Sequence, residues 1–193
     1  MAPLRVTQFG EPILRQKGRP VETFDDSLKS LADSMVETMY AEEGIGLAAQ
    51  QIGKPLQLCV VDVNFQEGPP PFYYLLDGKT PPMDLIMPLV LVNPEVAAQG
   101  PDTEAYEEGC LSFPDIRAPV SRVRRIEVSY QDLQGYPHHL ECDGLLARVI
   151  LHEADHLHGI LFIDHLTPKE LKKIESKVKK LKRTTRDWLK SQN

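Results

Sequence analysis

The stretch His152-Glu153-Ala154-Asp155-His156 carries the chemistry of this sequence. Residues four apart share one face of a helix, so His152 and His156 can aim their imidazoles at the same point. Two imidazoles at that spacing can hold one divalent metal. Glu153 lies about 100° further round a helix of 3.6 residues per turn. From there a carboxylate reaches a water at the metal without ligating the metal itself. That is the arrangement of HExxH, in which the Glu is the general base of a metal-assisted hydrolysis. The bland alternative is a pair of surface histidines. The apolar run around them, from Leu145 to Phe162, argues against it.

Two histidines are too few, because a catalytic site usually takes three protein ligands and keeps one position open. Cys110, in Glu108-Gly109-Cys110-Leu111-Ser112, is one candidate, since a thiolate suits soft and borderline metals. Alone, a Cys beside a Gly is more often structural. His158 and His165 are rivals, although His158 stands two residues after His156 and points away from the pair. The text after HExxH tests a zincin-type metalloprotease. A metzincin needs a further His three residues after the Gly. Counted from Gly159, that position is Phe162, which cannot ligate. A gluzincin needs a downstream Glu, and Glu170 and Glu175 are the ones at hand.

The elements that must position these residues are legible in part. Asp25 or Asp26 can cap a helix that runs to about Ala41, with Leu28, Leu31, Ala32, Met35 and Met39 at steps of three and four. Gly44 suits a left-handed position at its end. Leu56 to Val63 reads as a buried strand, with Cys59 an inert core thiol. Residues 64–88 hold two proline clusters and read as a long surface excursion, in which Phe72, Tyr73 and Tyr74 cover a core edge or line a groove. Leu89 to Val92 is a strand stopped by Asn93-Pro94. Arg125–Tyr130 and Tyr136–Glu141 form a hairpin. The HExxH helix follows and ends at Gly159. Thr167 and Glu170 make a capping box for a last helix, with Pro168 at its first position and Leu171, Ile174, Val178, Leu181 and Trp188 as its apolar stripe.

Composition narrows the class. A chain of 193 residues with 41% hydrophobic and 26% charged residues is an ordinary globular protein of one domain. Three cysteines, Cys59, Cys110 and Cys142, make no disulfide framework and suggest a reducing compartment. Met1 to Arg5 shows neither an apolar signal core nor an Arg/Ser-rich transit stretch. No run approaches the ~20 apolar residues of a membrane span. Net charge is −6, yet residues 169–193 hold ten Lys/Arg against three Asp/Glu, a net +7 that leaves −13 for residues 1–168. Such asymmetry suggests a nucleic-acid partner for the basic segment. A solvated helix face explains it equally well.

Three segments together resemble the peptide deformylase family: Gly44-Ile45-Gly46-Leu47-Ala48-Ala49-Gln50-Gln51, then Glu108-Gly109-Cys110-Leu111-Ser112, then His152 to His156. Leu91-Val92-Asn93-Pro94 and Gly144-Leu145-Leu146-Ala147 extend the likeness, which covers most of residues 8–166. The resemblance implies an α+β fold, with small antiparallel sheets packed around a central metal-binding HExxH helix and an amphipathic C-terminal helix. It implies a catalytic domain over 1–168 and a basic helix of the same domain over 169–193. The implied reaction removes the N-terminal formyl group from N-formyl-methionyl nascent polypeptides and releases formate. Cys110, His152 and His156 would bind one divalent metal, natively Fe(II), with Ni, Co or Zn able to replace it. Glu153 would be the acid and base, and the Gln51 amide and Leu111 N–H would face the reacting oxygen. Ile45, Gly46, Leu145, Arg148 and Val149 would bind substrate, with Arg148 covering the Met pocket by its methylenes and holding its guanidinium in solvent. Asp155 would brace the helix through Arg122, or be satisfied locally. Tyr106 and Glu107 receive no role. The expected protein is a monomer of the bacterial cytoplasm, or of an organelle if a transit peptide has been removed. It has no membrane contact, and the ribosome would meet its basic helix.

Overall fold

A computed structural model describes residues 3–64 and 71–192. Its helices are α1 (Asp26–Ala41), α2 (Met83–Ile86), α3 (Gly144–Leu157) and α4 (Pro168–Ser191). Its strands are β1 (Gly46–Ala48), β2 (Leu58–Val61), β3 (Tyr74–Leu76), β4 (Leu89–Ala98), β5 (Thr103–Gly109), β6 (Arg117–Val123), β7 (Arg125–Gln131) and β8 (Pro137–Asp143). Six strands form one antiparallel sheet in the order β1-β2-β4-β7-β8-β3, and β5 and β6 pair as a separate antiparallel ribbon. The fold is α+β, with antiparallel sheets and a C-terminal helix.

Alternation along β2 explains how both faces of the large sheet are filled. Cys59 and Val61 join Leu91, Ile126, Val128 and Leu140 beneath Leu146, Ala147, Ile150 and Leu157 of α3. Leu58 and Val60 face the other way, against Met35 and Met39 of α1. A strand covered on both faces has no polar side, which is why the sequence there is an unbroken apolar run. A third cluster joins Phe113, Ile116 and Val120 to Phe162 and to Ile174 and Val178 of α4. Full burial of such a side chain contributes ~1.5–3 kcal/mol.

Caps set the helix ends. Asp25 accepts from the Ser27 and Leu28 N–H groups, as the sequence predicts. The Thr167 hydroxyl accepts from Glu170 N while Glu170 accepts from Thr167 N, which completes the predicted capping box. At the end of α1 the left-handed residue is Glu43, with φ 56°, and not Gly44. Gly44 matters for room instead, since a Cβ there would lie 2.8 Å from Leu111 Cδ1.

Other expectations need correction. Asn93-Pro94 does not stop a strand. β4 runs on to Ala98 through a bulge at which its register against β7 shifts between Val92 and Glu95, with Asn93 at φ 52°. The excursion at 64–88 is not structureless where it is described: β3 pairs with β8, and α2 follows it. Residues 65–70, which include Gly68, Pro69 and Pro70, lie outside the described residues. Tyr74 is buried and Phe72 packs on the main core, so this stretch covers a core edge. The ribbon β5–β6 has no counterpart among the predicted strands.

Candidate metal centre and active site

α3 carries its apolar residues toward the sheet and brings His152, Glu153 and His156 to a buried position. Cys110 directly follows the last residue of β5. The Cys110 sulfur and one nitrogen from each of His152 and His156 lie within 4.8 Å of one another. Cys110 Sγ is 3.3 Å from His156 Nε2. The rival ligands are engaged elsewhere. His158 Nδ1 meets Ala154 O at 2.8 Å, and His165 Nε2 meets Asp155 at 2.7 Å. Two borderline nitrogens and a thiolate are a donor set for a divalent transition metal. Glu153 Oε2 is buried with no hydrogen-bond partner among the described residues, which suits a site completed by a bound group.

A carboxylate network holds these side chains. His152 Nδ1 donates to Glu108 Oε2 at 3.1 Å, which leaves the other ring nitrogen for a cation. Arg122 forks onto Glu108, from Nε to Oε1 at 2.7 Å and from Nη2 to Oε2 at 3.0 Å. It also donates to Asp155 Oδ2 at 2.8 Å, so the predicted brace is present. Burial raises the Glu108 pKa, but hydrogen bonds from His152 and Arg122 outweigh it and hold the carboxyl at about 2. Glu108 is therefore an anion throughout the working range. Burial likewise disfavours charge on His152, yet its bonds to Cys110 and Glu108 hold its pKa well above the ordinary value. Burial drives His156 the other way, to a neutral imidazole. For Glu153 burial outweighs the lowering charges of His152 and Arg122 and raises the carboxyl to about 7. A carboxyl tuned to that range can both take and give a proton near neutrality.

The cleft over this centre is lined by Ile45, Gly46, Leu145, Arg148 and Val149. Gln51, Cys110, Leu111, His152 and Glu153 also line it. Every predicted site residue is therefore at the cleft except His156, which is buried at 1% exposure and reaches the site through its contact with Cys110. Gln51 is pinned by its own loop, since its Oε1 accepts from Ala48 N at 2.8 Å. Its amide nitrogen is thereby turned to Cys110 Sγ at 3.5 Å and Ser112 Oγ at 3.4 Å. β1 is the outer strand of its sheet, so its free edge borders the cleft.

One predicted detail fails. The Arg148 guanidinium is not in solvent. It donates to Glu108 Oε1 at 2.8 Å, Val120 O at 3.0 Å and Glu104 O at 2.7 Å, because a buried carboxylate and carbonyls of β5 and β6 offer it better partners than water does. Glu108 itself is the residue that sequence reasoning missed. Its signal was a Glu directly before the Gly-Cys pair, which resembles its equally acidic neighbour Glu107 until burial separates them: Glu108 is 6% exposed, whereas Glu107 is exposed on the cleft rim.

Gly46 gives a direct test of the crowding. A Cβ built there would collide with Glu153 Oε1 and lie 2.9 Å from Val149 Cγ1. Gly46→Ala is expected to destabilise the fold by ~1–3 kcal/mol through overpacking and to lower kcat by pushing Glu153 aside. Thermal melts and steady-state kinetics check both, and an unchanged kcat would show that Glu153 has room to give.

The profile of the polypeptide deformylase family matches residues 3–172. The chain belongs to that family. A peptide deformylase of Opitutus terrae is 51% identical over 185 residues, covering 95% of each chain. One from Brucella suis is 42% identical over 89% of each. Among solved structures, the peptide deformylase of Thermotoga maritima superposes with a TM-score of 0.74 at 39% identity, over 87% of this chain and 100% of that one. A Synechococcus elongatus peptide deformylase, solved in complex with actinonin, gives 0.76 at 38% identity, over 92% and 87%. Peptide deformylases are metal-dependent hydrolases that remove the formyl group from the N-termini of nascent peptides, and this chain is an enzyme of that kind. The protease alternative is not favoured. Phe162, at the metzincin ligand position, is buried with its ring 6.3 Å from that of His152. Glu170 caps α4 and Glu175 pairs with Lys179.

Proposed function

We propose that Cys110, His152 and His156 hold one divalent metal, natively Fe(II), with Ni, Co or Zn able to replace it, and that Glu153 moves the protons of deformylation. The observation that carries this reading is the convergence of the three donor atoms within 4.8 Å at the wall of a cleft that Glu153 also lines. A divalent cation held there supplies Lewis acidity, which polarises a formyl oxygen and makes a water acidic near neutral pH. Glu153 takes the proton of the attacking water. The water oxygen bonds to the formyl carbon and the C–N bond breaks. Glu153 then gives the proton to the departing amine, leaving formate and a free N-terminus. The Gln51 amide nitrogen and the Leu111 N–H face the carbonyl oxygen as charge grows on it. Removal of one such donor typically costs ~2.7–4 kcal/mol.

Ile45, Leu145, Val149 and the Arg148 methylenes form the apolar pocket for the Met side chain of an N-formyl-methionyl peptide. The peptide backbone adds to the edge at Ile45-Gly46 as an extra strand. Residues 1–168 are the catalytic domain and 169–193 a basic helix of the same domain, in keeping with Ile174 and Val178 in one core cluster with Phe113 and Phe162. In this reading the enzyme acts as a monomer. Among the described residues no helix is long and apolar enough to cross a membrane. The reaction has a substrate where translation starts with formyl-Met, in a bacterial cytoplasm or an organelle. An anaerobic assay of formate release from formyl-Met peptides, with metal analysis on the same sample, tests the whole reading.

The basic face of α4 docks the enzyme on the ribosome in this proposal. Lys173, Lys180 and Arg183 are exposed, whereas Ile174, Val178 and Thr185 are buried. Truncating the helix would therefore tear the core, and charge reversal is the cleaner test. Reversing Lys173, Lys180 and Arg183 to Glu should abolish a salt-sensitive association with purified ribosomes and leave short-peptide hydrolysis intact. Association that ignores salt, or survives reversal, would leave α4 as a solvated face.

A further inference from the structure

We propose that Arg148 is a positioning residue for the metal centre: its guanidinium ties the strand that delivers Cys110 to the helix that delivers the two histidines, and so sets how tightly the metal is held. This rests on the ligand assignment above. The ligands come from two separate elements. Cys110 follows β5, and His152 and His156 are on α3. Arg148 lies on α3 one turn before His152, and its side chain spans the gap. Nη2 donates to Glu104 O of β5, and Nη1 donates to Val120 O of β6 and to Glu108 Oε1 at the end of β5. The Arg148 guanidinium also stands 5.7 Å over the Tyr106 ring of β5.

The bond to Glu108 gives this clamp its reach. Glu108 Oε2 receives His152 Nδ1, while Oε1 receives Arg122 Nε and Arg148 Nη1. Without Arg148, Oε1 keeps only the Arg122 Nε donor, and α3 loses its ties to Glu104 O and Val120 O beside the carboxylate. His152, one turn further along α3, keeps its bond to Glu108 but loses part of what fixes its helix against the strand of Cys110. The carboxylate partner of a metal-bound histidine typically sets ~10–100-fold in metal affinity, and Arg148 acts on that partner. Because the Arg148 methylenes also line the cleft, a change at this one position reaches both the pocket and the metal ligands.

The experiment uses full-length Arg148→Met, Arg148→Lys and Leu145→Ala proteins loaded with cobalt(II) or zinc(II). Met keeps the apolar stem and removes the guanidinium, Lys keeps one donor, and Leu145→Ala alters the pocket wall alone. Three quantities are read: the rate of metal release to a chelator, the visible spectrum of the cobalt form, and kcat and KM for a formyl-Met peptide. Arg148→Met should release metal about tenfold faster or more, shift the cobalt bands and lower kcat with little change in KM. Arg148→Lys should fall between it and the parent protein, and Leu145→Ala should raise KM at the parent release rate. Parent-like release and spectrum in Arg148→Met, with only KM raised, would overturn the proposal and leave Arg148 as pocket wall. If Arg148→Met fails to fold, the release rate of Arg148→Lys decides, and a parent-like rate overturns the proposal. A Cys110→Ala protein that holds cobalt as tightly as the parent would instead overturn the ligand assignment, and the proposal with it.

Discussion

Glu153→Gln should retain one metal per chain and lose turnover by ~10²–10⁴-fold, the usual worth of a general acid–base. Gln fills the volume of Glu, so the buried position stays packed. Glu153 is not part of the Cys110, His152, His156 cluster, so the metal should remain. What is lost is the group to which the proposed reaction assigns the proton transfer between water and amine. Kinetics and metal analysis on one preparation check both halves. Apo protein on purification would make Glu153 a ligand, and near-normal turnover would remove it from the mechanism. Stability gives an independent reading. The carboxyl is raised from 4.5 to about 7, first by burial. A raised carboxyl costs stability above its unfolded pKa, because the unfolded chain ionises it more readily. In chelator-treated protein the variant should therefore gain on the parent as pH rises from about 5 to 8, and the gap should close at pH 4.

Much of this centre was legible in the sequence because its signals are local. Two histidines and a glutamate on one helix need only the 3.6-residue period, and the caps at Asp25 and Thr167 need only their neighbours. The ribbon β5–β6 was not legible. Thr103 to Tyr106 are all exposed, so β5 has no buried face to impose a period of two. β3 was hidden for another reason: prolines flank it, and only its pairing to β8, some 65 residues away, makes it a strand. At β4 the Asn93-Pro94 pair reads locally as a stop, and the sheet accepts it as a bulge. The same division holds within the site. The family resemblance puts Arg148 at the pocket, but the fate of its guanidinium depends on carbonyls from β5 and β6, the ribbon with no pattern to announce it. Glu108 fares likewise. Its role follows from the meeting of Arg122, on the paired strand β6, with Arg148 and His152 of the distant helix α3.

Cys110→Ala should lose the metal and, with it, essentially all deformylase activity, whereas Cys59→Ala should keep both. Each substitution removes one thiol, and their surroundings separate them. Cys59 is fully buried on β2, and burial first, then the charge of Glu153, raises its pKa well above the ordinary thiol value. It is a small hydrophobe in the sheet core, and its loss should cost stability alone. Cys110 is half-buried at the cleft, 3.3 Å from His156 Nε2. Alanine there leaves two imidazoles, and two ligands do not retain a metal against a chelator as three do. The scaffold should survive, because Glu108, Arg122 and Asp155 bind one another without the sulfur. The decisive measurements are metal per chain after gel filtration, formate release, and the thermal midpoint of the apo forms. A metal-loaded, active Cys110→Ala protein would sink the assignment. Cys110→Asp is less decisive, since a carboxylate still ligates zinc, and two imidazoles with a carboxylate also hold iron(II).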